Sequence, residues 1–100
     1  MRIIKRGSLV EFWTAHPETR PSLERWLQIA SAAEWGSTSA VTATFPKAKA
    51  LNSERVRFAI ARGNYRLIVA FRFDLQIGWI KFIGTHAEYD GTDALTVSQF

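Results

Sequence analysis

Arg55-Val56-Arg57-Phe58-Ala59-Ile60-Ala61 and Tyr65-Arg66-Leu67-Ile68-Val69-Ala70-Phe71-Arg72-Phe73 flank the triplet Arg62-Gly63-Asn64, and this arrangement decides the fold. In the first run Val56, Phe58 and Ile60 alternate with Arg55, Arg57 and the small Ala59. A period of two puts alternate side chains on opposite faces of a strand. In the second run Tyr65, Leu67, Val69, Phe71 and Phe73 share one face, and Arg66, Ile68, Ala70 and Arg72 share the other. Arg62-Gly63-Asn64 reads as the tight turn that joins them into a hairpin. Asp74-Leu75-Gln76 is a second turn, and Ile77 to about Gly84 is a third strand. That strand is apolar on both faces apart from Lys81, which predicts a central position.

Upstream the period changes to that of a helix. Residues 1–5 read as a short strand containing Ile3 and Ile4. Ser8-Leu9-Val10-Glu11 fits a capping box, and Leu9, Phe12 and Trp13 follow at helical spacing. His16-Pro17 ends this helix, because the residue before a proline is pushed out of the α region. A second helix begins near Thr19, with Pro21 in its first turn. Its stripe is Leu23, Trp26, Leu27, Ala30 and Ala33, and it stops around Trp35-Gly36. Gly36-Ser37-Thr38-Ser39 reads as loop, Phe45-Pro46 as a turn and 46–54 as an exposed basic loop. The expected fold is α+β, in the order β-α-α-β-β-β, with two helices on one face of a mainly antiparallel sheet. The face away from the helices would carry Arg57, Arg66 and Lys81.

The chain has 100 residues, 47% of them hydrophobic, which suits a single domain over 1–100 with one core. Four Trp and seven Phe predict that large rings fill much of it. With no Cys there is neither a disulfide nor a thiolate metal site, a usage that fits the reducing cytoplasm. Two His among scattered carboxylates make no zinc pattern, so no metal or other cofactor is expected. Met1–Lys5 is apolar too briefly for a signal peptide, and no stretch has the length of a membrane span. The net charge of +4 is unevenly spread. Between Lys47 and Lys81 eight basic residues stand against two acidic ones, Glu54 and Asp74. Residues 82–100 hold no Lys or Arg and three acids. A cationic middle on so small a domain suggests a polyanionic partner. Lys47, Lys49, Arg55, Arg57, Arg62 and Lys81 are the candidates for generic contacts to a nucleic-acid backbone.

Gly84-Thr85-His86-Ala87-Glu88-Tyr89-Asp90 follows the third strand and sets His86 three residues before Tyr89. Two proton-handling side chains beside cations suit RNA cleavage. An imidazole serves as acid or base near neutral pH. Tyr89 could donate a proton, stack on a base or pack on the core rim. Arg66 could bind a phosphate in a bidentate way and steady charge on a pentavalent transition state. His16, Trp13 and Trp26 read as structural, and Trp79 as buried or stacking on a base.

Trp35, Phe45-Pro46, Arg55-Val56 with Phe58 and Ile60, Tyr65-Arg66-Leu67-Ile68-Val69, Ile80, Phe82 and Thr85-His86-Ala87-Glu88-Tyr89-Asp90 together resemble the HigB toxins, of the RelE-like toxins of bacterial type II toxin–antitoxin pairs. The resemblance covers roughly Trp35 to Asp93. It implies a RelE-like fold with a curved antiparallel sheet and two N-terminal helices. It also implies a metal-independent endoribonuclease that cuts mRNA, typically at the ribosomal decoding site. A HigA-like helix-turn-helix antitoxin would hold it inactive, and promoter DNA would be bound only through that antitoxin. His86 and Tyr89 match the family's C-terminal catalytic motif, and Arg66 matches the arginine that faces the scissile phosphate. Glu88 and Asp90 match the motif without an assigned chemical role. Two departures stand out: Ala59 replaces a frequent Asn, and Arg62-Gly63-Asn64 replaces a frequent Gly-Asn-Lys. A non-enzymatic RNA- or ribosome-binding domain, a degenerate toxin and a gyrase-poisoning branch of the same fold are the rival readings.

Overall fold

The computed structural model describes all residues, Met1–Phe100. It is α+β: four short helices with a five-stranded mixed sheet. The strands are β1 (Arg2–Ile4), β2 (Lys49–Ala50), β3 (Arg55–Ile60), β4 (Tyr65–Arg72) and β5 (Ile77–Thr85). The helices are α1 (Arg6–Ala15), α2 (Arg20–Ala32), α3 (Thr38–Thr44) and α4 (His86–Asp90). The sheet order is β1-β5-β4-β3-β2. Only β1 runs parallel to its neighbour β5. The expected meander is present, and β5 lies inside the sheet as its two-sided apolarity predicts.

The alternation in β3 and β4 governs the core. Val56 pairs with Val69, Phe58 with Leu67 and Ile60 with Tyr65, all toward the helices. Leu23, Trp26, Leu27 and Ala30 of α2 are buried against that face. Trp26 and Phe58 meet edge-on at 5.3 Å, as do Phe45 and Phe58. Fully burying a ring or branched chain of this kind contributes roughly 1.5–3 kcal/mol.

Four expectations need correction. The capping box at Ser8 is absent: α1 starts at Arg6 after Lys5 in the left-handed region, and the Ser8 hydroxyl donates to Lys5 O. Helix α2 ends at Ala32, short of Trp35-Gly36, and Ala33 is already extended. The stretch read as a loop at 36–39 opens α3, where the Ser37 hydroxyl accepts from Ala40 N. Within the stretch read as exposed basic loop, Lys49–Ala50 forms the short edge strand β2, pairing with Val56 and Arg57.

The outer face of the sheet is also less open than expected. Residues 94–99 cross it. Arg55 Nη1 donates to Ala94 O and Val97 O at 3.2 and 2.8 Å. Gln99 then bonds the edge of β5: its N–H donates to Lys81 O, and its side-chain oxygen accepts from Ile83 N. On the same outer face Ile68 has no exposed surface. The ladder slips where Ile68 pairs with Phe82 but Val69 with Ile80. Lys81 is therefore the extra residue of a bulge, and its carbonyl is free for Gln99.

Candidate nucleic-acid interface

The other half of the outer face is an open cleft of about 620 Å³. Five cations line it: Arg25 from α2, Lys47 before β2, Arg57 from β3, Arg62 from the turn and Arg66 from β4. None of the five pairs with a carboxylate. The Nε atoms of Arg57 and Arg66 are buried without a partner, and Arg57 Nη2 reaches Lys47 O only at 3.4 Å. Like charges held this close repel one another, so an anion in the cleft is favoured.

The turn between β3 and β4 shapes the cleft. Ala61, Arg62 and Gly63 all have positive φ, at 50, 62 and 85°. That conformation is costly for the first two and natural for glycine. It is held at Ala61, whose N–H donates to the Ser22 hydroxyl of α2. A Cβ on Gly63 would lie 3.1 Å from Arg66 Nη1, so the Arg66 guanidinium rests over the turn.

The same turn anchors the His86 segment. His86 N–H donates to Asn64 O at 3.0 Å, and Gly84 pairs with Arg66 across the sheet. The segment is a helix, α4, capped by a reciprocal box. Thr85 Oγ1 accepts from Glu88 N, and Glu88 Oε1 accepts from Thr85 N at 2.8 Å. That amide holds the Glu88 carboxyl below the usual carboxylate range, with help from the Thr85 hydroxyl side and His16. Asp90 lies one turn beyond His86, with Oδ2 3.0 Å from His86 Nδ1. A carboxylate only accepts, so Nδ1 carries the hydrogen of that contact and a neutral ring leaves Nε2 as an acceptor. Tyr89 packs on Phe82, ring centroids 6.3 Å apart. A Cβ at Gly84 would sit 2.8 Å from the end of the Phe82 ring, so glycine is needed for this approach.

The structure thus gathers Lys47, Arg57, Arg62 and Arg66 into the cleft and leaves other candidates outside it. His86 is tied to the turn at Asn64 and Tyr89 packs on Phe82, and neither lines the cleft. Arg55 is spent on the C-terminal carbonyls. Lys49 is exposed on β2, and Lys81 is half-buried in the bulge. Arg25 was not singled out from the sequence. Its signal was there: Ser22, Arg25 and Ile29 fall at i, i+3 and i+7 on one face of α2. His16 joins an aromatic cluster instead, stacked on Phe12 at 4.4 Å. Beside it the Tyr65 hydroxyl donates to Glu18, holding that carboxyl low and the phenol high. Nowhere do three His, Cys, Asp or Glu residues gather as metal ligands. No helix is long and apolar enough to cross a membrane.

A short helix-backed mixed sheet of this order is compatible with the RelE-like class of toxin folds. A family model described as HigB toxin, RelE-like toxic component of a toxin-antitoxin system, matches residues 19–92. The chain belongs to this family, and it is the toxin of a toxin–antitoxin pair, which implies an antitoxin partner. No curated protein matches it.

Proposed function

We propose that this toxin is an endoribonuclease that cuts mRNA, on the ribosome, without a metal. The observation that carries the reading is the cleft of five unpaired cations beside the turn that anchors His86. Cations at this density attract a polyanion, and a guanidinium suits a phosphate. In the reaction the substrate's 2′-hydroxyl attacks the adjacent phosphorus. His86 Nε2 takes the 2′ proton, and the 5′ oxygen leaves with a proton from Tyr89. Arg66 steadies the pentavalent phosphorane, supported by Arg57. Asp90 positions the His86 ring. The products are a 2′,3′-cyclic phosphate and a 5′-hydroxyl. A HigA-like helix-turn-helix antitoxin holds the toxin inactive and carries it to promoter DNA.

The test is induced expression of wild type and His86→Ala in a bacterial host without the antitoxin, reading growth and mRNA 5′ ends. Growth arrest with new ends from wild type alone is the expected result. Arrest by both proteins without new ends would overturn it. Cleavage in vitro should persist in a chelator. One observation favours a second reading, RNA binding without cleavage: His86 and Tyr89 do not line the cleft. Under that reading His86→Ala would still arrest growth.

A further inference from the structure

Next to the cleft lies a second hollow, a groove of about 470 Å³ between α2, the Phe45-Pro46 turn and β3. It is walled mainly by apolar groups, among them Trp26, Ile29, Phe45 and Pro46. It runs into the cleft without a break, since Ser22, Arg25, Lys47 and Ala59 line both. A phosphate site that opens directly onto an apolar slot has the make-up of a nucleotide site.

The groove also offers main-chain polar groups. Leu51 N–H donates to Arg55 O, while Glu54 O accepts from Phe71 N on the β4 side. Main-chain groups alternate along an antiparallel strand, so Arg55, Arg57 and Ala59 turn theirs toward the β2 side. Strand β2 begins at Lys49, opposite Arg57. No strand partner therefore faces Ala59, and its N–H and C=O are left to the hollow that Ala59 lines. One free donor beside one free acceptor matches the edge of a nucleobase. It is too short an edge to add a peptide strand, which uses several residues in succession. A second group awaits a partner: Trp26 lines the groove, and its buried Nε1 donates to nothing.

We propose that this groove is a base subsite, holding the nucleobase of the RNA nucleotide whose phosphate occupies the cleft. The proposal rests on the reading of the cleft as an RNA phosphate site. It gives the protein a means of preferring one base at a fixed step from the phosphate it holds.

The experiment compares two 2′-O-methyl dinucleotides, which lack the attacking hydroxyl, one with both bases and one abasic beside the phosphate. Their binding to the whole toxin is measured by calorimetry. The base-bearing probe is expected to bind roughly tenfold tighter or more, the scale of one stacked base. Ile29→Ala, which removes an apolar wall, and Trp26→Phe, which removes the N–H, should each shrink that gain below about threefold. Neither should change abasic binding, and circular dichroism confirms that both fold. Equal binding of the two probes by wild type would overturn the base subsite and leave the phosphate cleft standing. A gain that survives both substitutions would also overturn it. Failure of both probes to bind would overturn the cleft and the subsite together.

Discussion

Arg55 and Arg66 lie on the same outer face of one hairpin, yet they meet opposite fates. Arg55 is half-buried, and its Nη1 satisfies two carbonyls of the C-terminal segment. Arg66 rests on Gly63 with a buried, unpaired Nε and four other cations lining the same cleft. The crossing of residues 94–99 makes the difference. It converts one end of the face into structure and leaves the other as an unneutralised site. A cation's partner, rather than its type or its place in a strand, decides which job it does.

The contrast is broken most directly at Arg66. If Arg66 faces the reacting phosphate, Arg66→Ala should lower RNA cleavage by about 100-fold or more, as losing a transition-state donor does. Arg55→Ala should leave cleavage within about threefold of wild type. Equal losses in a cleavage assay would erase the distinction. Asp90→Asn comes next. Without a carboxylate to hold the Nδ1 hydrogen, the imidazole loses its fixed tautomer, and cleavage should fall by about tenfold or more while binding of an uncleavable RNA is unchanged.

Stability effects are smaller and fall on the other end of the face. Arg55→Ala should cost about 2 kcal/mol in denaturant unfolding, the scale for losing hydrogen bonds to a charged donor. Arg66→Ala should leave stability unchanged or raise it, because it relieves repulsion among the cleft cations. The smallest effect concerns α4. Thr85→Ala should cost about 1 kcal/mol by removing the cap. Glu88 has a depressed pKa in the folded protein. Its contribution is therefore full above the ordinary glutamate value and disappears as pH falls through the depressed one. A melting series from neutral to acid pH, with Glu88→Gln as control, measures it. The variant should lose less than wild type on acidification.

Much of the sheet was legible because its signals are local. A strand with Val56, Phe58 and Ile60 on one side and arginines on the other has one sensible way to sit on a core. The helix ends were less legible, and the two capping-box patterns show why. Ser8-Leu9-Val10-Glu11 and Thr85-His86-Ala87-Glu88 have the same form, but only the second folds into a box. At Ser8 the chain has already entered α1, so the hydroxyl has a carbonyl to serve instead. At Thr85 the chain leaves a strand, extended, and the four free amides of a new helix start there. Recognising Thr85-His86-Ala87-Glu88 as a box would also have placed Asp90 one turn from His86.

By itself the sequence determined the α+β class, the hairpin and its two faces, the helix-side core and the motif that marks the family. Each follows from spacing within a few residues. Only the tertiary structure decided which cations act together. Arg25, Lys47, Arg57, Arg62 and Arg66 come from separate stretches and meet because α2 packs beside the hairpin turn. Arg55 is withdrawn because a segment some forty residues away crosses the sheet to meet it. Charge and hydrogen bonding depend on distance in space, and spacing along the chain does not encode distances of that kind.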